Sequence, residues 1–379
     1  MEAFLECLPP AWQVPLGGAC RYIIGGRQMR SIFGMPSDDL AGAAKRCVPL
    51  HYYTRRESVL AKEEKFRFLS KDRKTKIHAV KWMPDSGEYK AIVQITHGMV
   101  EFIERYREFA EFLTKNGYLV VGHDHLGHGE SVVNQEDWGY FAAENPSDVL
   151  VADMHKLRTL MMRKNPGVPY VMIGHSMGSY MLRKYLSLHG EGLSGAIILG
   201  TGSVPDKTTK LGICVVKILA KFFGWRHRSM LVEHFTFGGD YKQFDLKGRN
   251  VKNSWLTKDE EIVDFYYQEP KCSFIFTLNG YLGLFEAVLF DNQPENIARI
   301  PKQLPILIAS GEDDPVGNMG EGVKRVHFQF LEAGICDVTC RLYENDRHEI
   351  LNETDRELVY RDILDWLEVH ISDRLGLQV

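Results

Sequence analysis

Gly174-His175-Ser176-Met177-Gly178 fits the pattern G-x-S-x-G, with the apolar run Tyr170 to Ile173 directly before it and a helical stretch from Ser179 after it. A serine in a sharp strand-to-helix turn takes a strained backbone, and the residues two before and two after must be nearly free of side chain for the chain to pass. Such a turn holds the hydroxyl at the C-terminal end of the strand, with the helix N-terminus and the amide of Met177 facing any oxyanion. The chemistry is then nucleophilic attack, for which the hydroxyl needs a base and the base an orienting acid. In this topology they follow in the order serine, acid, histidine. After the strand-like LPILIAS come Glu312, Asp313 and Asp314, and after VTCRLY comes His348. The three acids are adjacent and spacing does not separate them; Asp314 is taken first and Asp313 second. A second oxyanion donor is expected after AIVQIT, where His97-Gly98-Met99 supplies a tight turn whose Met99 amide can face the site.

The elements that must position these residues form a regular series. Short, nearly wholly apolar runs at 66–69, 77–82, 91–96, 119–121, 170–173, 196–199, 306–309 and 338–343 read as strands, most of them buried on both faces as parallel strands are. Between them apolar residues keep the helical period: Phe102, Tyr106, Phe109 and Leu113; Leu150, Met154, Leu157 and Met161; and Val359, Ile363, Trp366 and Leu367. Strand alternating with helix predicts an α/β fold with a mostly parallel central sheet flanked by helices. The first two strands, joined through 71–75, are expected as an antiparallel hairpin at its edge.

Residues 203–301 break the alternation, with helical patterns but no convincing strand pair, and read as a helical cap inserted into a core made of 59–202 and 302–379. The first cap helix has Leu211, Cys214, Val215, Ile218, Leu219 and Phe222 on one face and Lys210, Lys217 and Lys221 on the other. Such a helix can lie on a membrane surface; the plainer expectation is that it buries the apolar stripe against the domain below. Phe222, Phe223, Phe274 and Phe276 are candidate walls for an apolar substrate, or simply core. Residues 1–58 carry clustered Gly and Pro and no sustained period, and read as an N-terminal extension of obscure role.

Composition limits the partners. With 46 Lys+Arg against 50 Asp+Glu there is no basic excess to neutralise phosphates, so no nucleic-acid partner is expected. Seven scattered cysteines without a CxxC pair fit neither a disulfide framework nor a zinc finger, and point to a reducing, cytoplasmic home. The N-terminal stretch lacks a basic n-region and is interrupted by Pro9, Pro10 and Pro15, so a secretory signal is not expected. No uncharged run reaches the roughly 18 residues of a spanning helix. Peripheral membrane contact is left to the cap or the N-terminal segment.

THGMVE followed by RY, DHLGHGES at Asp124 to Ser131, GHSMGS, GEDDPVG and RHEILNE together resemble the monoacylglycerol lipase and bacterial lysophospholipase-like branch of the α/β-hydrolase fold. The resemblance spans about residues 62–372 and includes the cap segment SWLTKDEEIVDFYYQEPKCSFIFT. It implies Ser176 as nucleophile, Asp314 as acid, His348 as base and the Met99 and Met177 amides as oxyanion hole. It also implies that Glu101 and Arg105 shape the polar head-group end of a substrate pocket, with His175 beside them. Phe102 stands where the family commonly has histidine, and Glu269 and Ser273 where it shows Asp and Gly. The implied activity is hydrolysis of a single-chain lipid ester, a lysophospholipid or monoacylglycerol, with no metal or organic cofactor.

Other readings have weaker support. His123-Asp124-His125-Leu126-Gly127-His128 looks superficially like the HxHxDH cluster of binuclear zinc hydrolases, but the slot that needs Asp holds Gly127. Gly200-Thr201-Gly202 follows a strand as a dinucleotide turn does, but Pro205 stands where a third glycine is required. An acyltransferase or a small-ester esterase would keep the same triad. A pure binding protein on this fold has no chemical need for all three residues.

Overall fold

The computed structural model describes residues 61–375, so the expected extension at 1–58 lies outside the described residues. Eight strands, β1 (Ala61–Leu69), β2 (Lys76–Pro84), β3 (Ala91–Thr96), β4 (Tyr118–His123), β5 (Tyr170–His175), β6 (Gly195–Leu199), β7 (Ile306–Gly311) and β8 (Val338–Tyr343), make one sheet in the order β1-β2-β4-β3-β5-β6-β7-β8. β1 and β2 form the edge hairpin, with Leu69 opposite Lys76, and β2 also runs antiparallel to β4. From β4 to β8 every pairing is parallel. Every residue of β3, β5, β6 and β7 is buried, which is why these strands are written without polar alternation.

Helices cover both faces. On one side α1 (Arg107–Lys115) and α10 (Arg356–Leu375) set Phe109, Leu113, Val359, Ile363 and Leu367 against Val93, Ile95, Val120 and Ile173. On the other, α2 (Pro146–Lys164), α3 (Met177–His189) and α9 (Glu321–Glu332) pack Leu150, Met154, Leu182, Val326 and Phe330 against Ile92, Met172, Ile198 and Ile308. The helix expected from Phe102 starts later. Ile103–Tyr106 is a single 3-10 turn whose first N–H is taken by Asp124 Oδ1 at 2.8 Å, and Phe102 packs with Leu256, Tyr266 and Cys272.

Strand order reverses at β3, because β4 lies on one side of it and β5 on the other. In open α/β sheets the crevice beyond the carboxyl ends of the strands at such a switch point is where ligands bind. The turn 97–100 leaves β3 there and Ser176 leaves β5 there.

The stretch between β6 and β7 contains α4 (Asp206–Phe223), α5 (Met230–Thr236), α6 (Glu260–Gln268), α7 (Leu278–Asp291) and α8 (Pro294–Ile297), and no strand. α7 packs on α2 and α3 as well as on α4, so it seats the insertion on the sheet domain. The expectation that α4 buries its apolar stripe holds only in part. Val215 and Leu219 are half-buried against the core and the fully buried line is Thr209, Val216 and Ala220, whereas Leu211, Ile218 and Phe222 are 63%, 53% and 74% exposed. The close approach of Gly212 to the Phe285 ring explains the choice, since α4 meets α7 through small residues. Among the described residues no helix is long and apolar enough to cross a membrane.

Candidate active site

Ser176 has φ 55° and ψ −121°, a positive φ that a serine adopts only when its surroundings impose it. Here they do. Its N–H donates to Leu199 O at 3.0 Å, which extends the β5–β6 ladder to the turn, and Met177 begins α3 immediately. A side chain at Gly174 would strike the carbonyl of Gly178, and one at Gly178 the carbonyls of Thr96 and His97. The glycines expected from the motif are thus sterically required.

The acid and the base meet beyond β7 and β8. Of the acidic trio Glu312 and Asp313 are exposed, and Asp314 alone is buried against His348. His348 Nδ1 lies 3.0 Å from both Asp314 oxygens. Ser310 Oγ and the Val316 N–H also donate to that carboxylate, each at 2.8 Å. Burial works to raise the Asp314 pKa, but His348 and these donors outweigh it and hold the group below the ordinary carboxylate range. His348 Nε2 is buried and has no hydrogen-bond partner among the described residues. This nitrogen is the one left to exchange a proton with Ser176, which shares a cavity with it. The His348 N–H donates to Trp255 O at 3.3 Å, and the Trp255 ring lies 5.0 Å from the imidazole at 31°.

The two expected oxyanion amides lie at the same cavity. Met99 follows Gly98, whose backbone runs so close to Ser176 that an added Cβ would come within 2.9 Å of the serine Cβ. Met177 is the first residue of α3, where an N–H has no intrahelical acceptor.

Glu101, Arg105 and His175 belong to one buried network. Arg105 donates to Glu101 Oε2 at 2.7 Å and makes a two-pronged pair with Glu349 at 2.8 and 2.7 Å. Tyr106 donates its hydroxyl to Glu101 Oε1 at 2.8 Å and lies 2.9 Å from His175 Nδ1. His175 Nε2 reaches the carbonyl of His348 at 3.2 Å. Burial disfavours a charged His175, yet the Glu101 carboxylate at 3.3 Å outweighs it and the ring's pKa is raised. Burial likewise raises the Glu101 and Glu349 carboxyls, but His175 and Arg105 bring the first well below the usual range, and Arg105 lowers the second. The Arg105 cation, together with hydrogen bonds from the Tyr106 hydroxyl and the Gly98 N–H, thus offsets the cost of burying the two carboxylates. Glu101, His175 and Glu349 line the cavity; Arg105 does not. The expected contact of Arg105 with substrate is replaced by a supporting role behind Glu101, because both prongs of the guanidinium are taken. Glu349 and Trp255 carry no site signal in the sequence, and Tyr106 reads there only as part of an apolar helix face.

The HDHLGH run is a buried loop. Asp124 turns its oxygens to the N–H groups of Ile103 and Glu130, and among the described residues His123, His125 and His128 do not form a group whose ligand atoms could all reach one ion. Two other groups do bring ligand atoms together, His78/Glu104/Asp124 and Asp346/Glu353/Asp355. A lysine already lies on each, Lys65 on Glu104 at 3.0 Å and Lys258 on Asp346 at 2.8 Å.

The cavity holds about 580 Å³. Apolar walls come from the insertion: Leu211 and Val215 of α4, Val232 and Phe235 of α5, Leu284, Phe285 and Val288 of α7, with Phe237 beyond α5. The phenylalanines expected there do not line it. Phe222 and Phe223 face solvent and Phe276 belongs to the core.

A mostly parallel eight-stranded sheet with helices on both faces and a serine on a strained turn after β5 defines an α/β-hydrolase. A family model described as serine aminopeptidase, S33, matches residues 87–355, and the chain belongs to that family. Within it the chain is a serine hydrolase of the monoacylglycerol lipase-like branch. It is 25% identical over 301 residues to a monoacylglycerol lipase of Mycolicibacterium smegmatis, a match covering 76% of this chain and 92% of that one. It is 23% identical to monoglyceride lipase of Rattus norvegicus, covering 78% and 86%. Among solved structures, a thermostable carboxyl esterase from Bacillus coagulans in complex with glycerol has a TM-score of 0.75 at 28% identity, covering 82% of this chain and 99% of that one.

Proposed function

We propose that the protein hydrolyses a single-chain lipid ester, a lysophospholipid or monoacylglycerol, through an acyl-enzyme on Ser176. His348 takes the hydroxyl proton as Ser176 attacks the acyl carbonyl, and Asp314 holds the ring and stabilises the imidazolium. The amides of Met99 and Met177 receive the oxyanion, and water activated by His348 then releases the acid. The observation that carries this reading is the cavity, in which Ser176 and His348 share one space with apolar walls long enough in sequence to span three helices. The volume lies inside the roughly 300–1,000 Å³ usual for small-molecule sites. A peptide N-terminus is a poorer fit, because an α-ammonium needs carboxylate oxygens free to receive it, and Arg105 already occupies both oxygens of Glu349 and one of Glu101, whose other oxygen accepts from Tyr106.

A fluorophosphonate reports an activated serine without any choice of substrate. One stoichiometric adduct on Ser176, located by peptide mass spectrometry, is the expected result, followed by release of fatty acid from one-chain esters in preference to two-chain ones. Folded protein that takes no adduct would count against the whole mechanism.

Residues 203–301 are read as a cap that also touches membrane, in a cytoplasmic protein. Leu211, Ile218, Phe222, Phe223, Met230 and Leu231 are exposed together on α4 and α5, and Lys207, Lys210, Lys217 and Lys221 are exposed on α4. Cys214, Cys272 and Cys340 carry free thiols, in keeping with a reducing compartment. Binding to vesicles of phosphatidylcholine with phosphatidylglycerol is expected, weakened by salt. The double substitution Ile218→Ser, Phe222→Ser should lower partitioning about tenfold or more, given ~1.5–3 kcal/mol for each large apolar side chain fully buried. Turnover of a soluble short-chain ester should not change, since neither residue lines the cavity. Equal partitioning of variant and parent would remove α4 from the contact.

A further inference from the structure

His97 is fully buried beside the oxyanion turn and takes no part in the proposed proton transfer. Its Nε2 lies 2.9 Å from the backbone N of His125, and its Nδ1 lies 2.8 Å from Gly98 O. A backbone N–H only donates, so Nε2 presents its lone pair. The proton of the neutral ring is then on Nδ1, from which it donates to the Gly98 carbonyl. That carbonyl belongs to the same peptide unit as the Met99 N–H. The peptide is trans, so its C=O and N–H point in opposite directions, and gripping the oxygen fixes the direction of the N–H. The turn is held at its other points too. Glu101 Oε1 accepts the Gly98 N–H, Gly98 abuts Ser176, and Val100 has φ 56°.

We infer that His97 is a positioning residue for the oxyanion hole: its Nδ1–H holds the Gly98 carbonyl, so that the Met99 amide is aimed at the oxyanion before substrate arrives. The inference rests on the serine-hydrolase reading. A donor aimed at developing charge acts on the transition state and little on the neutral ester, so its misalignment lowers kcat and leaves KM nearly unchanged.

Three substitutions separate the two hydrogen bonds of the ring. His97→Asn keeps an N–H donor in the place of Nδ1, His97→Gln keeps an acceptor in the place of Nε2, and His97→Phe keeps neither. With p-nitrophenyl butyrate as substrate, the Gln and Phe variants should lose about 30- to 300-fold in kcat, with KM within about threefold, and Asn should stay within about fivefold of the parent. Inhibition by an alkyl trifluoromethyl ketone, which forms the tetrahedral adduct, should weaken in step with kcat. Equal losses in Asn and Gln, or a Gln variant with parental kcat, would overturn the role of His97 while leaving the hydrolase reading intact. If the Phe variant fails to fold, the Asn and Gln pair decides. A parent protein that neither turns over the ester nor takes a fluorophosphonate on Ser176 would sink both readings.

Discussion

Ser176→Ala is expected to lower ester turnover by about 10⁴- to 10⁶-fold while leaving the melting temperature essentially unchanged. The serine hydroxyl makes no hydrogen bond among the described residues, so removing it leaves no buried partner unsatisfied. Alanine keeps the Cβ, and the Gly174 and Gly178 clearances and the Leu199 ladder bond do not depend on the side chain. What disappears is the nucleophile. The amides, the cavity and His348 remain, and a trace of activity from binding and oxyanion stabilisation is compatible with the mechanism. Activity above trace, in protein shown to be folded by near-ultraviolet circular dichroism, would remove Ser176 from the chemistry.

The second large effect is expected at Asp314. The carboxylate accepts three kinds of donor at once: His348 Nδ1, Ser310 Oγ and the Val316 N–H. An asparagine offers one accepting oxygen and one donating amide. If the amide faces His348, the ring must turn its lone pair to Nδ1 and carry its proton on Nε2, where a base is needed. The neutral amide also stabilises an imidazolium far less. Asp314→Asn should therefore cost about 10⁴-fold in kcat. Asp313→Asn is the internal control: the side chain is exposed, and the change should leave kcat within about twofold. A crippling effect at Asp313 with little at Asp314 would show that the acid is its neighbour.

The sheet was legible because its buried strands are short apolar runs bounded by turn residues, and all eight expected strands fall within observed ones. The serine turn was legible because its glycines answer a local steric demand that the surrounding backbone confirms. Asp314 and Asp313 were inseparable in sequence because both sit in one loop, and only the direction in which each side chain leaves that loop distinguishes them. The ionic network was less visible. Arg105 and Glu349 are 244 residues apart, and nothing local to either says that two carboxylates will share one guanidinium. The α4 stripe was legible only in part, with Val215 and Leu219 turned inward and Leu211, Ile218 and Phe222 outward, for a related reason. Helical periodicity identifies an apolar face but not what it faces, and on this helix the tighter packing surface is the line of small residues that fits α7.

The pairing of Trp255 and Leu256 with the base constrains how the cavity opens. Leu256 O accepts the Glu349 N–H at 2.7 Å, Trp255 O accepts the His348 N–H, and Lys258 anchors the same strip to Asp346. This part of the insertion is a fixed jamb: swinging it outward would pull the imidazole off its register with Asp314 and stop the chemistry. If the insertion acts as the proposed membrane-touching cap, widening of the mouth falls to α4 and α5, whose outer faces expose Leu211, Ile218, Phe222, Met230 and Leu231. A bilayer that takes up those faces would then do two things in one movement, drawing that side of the mouth aside while the proton-transfer pair behind the jamb stays set.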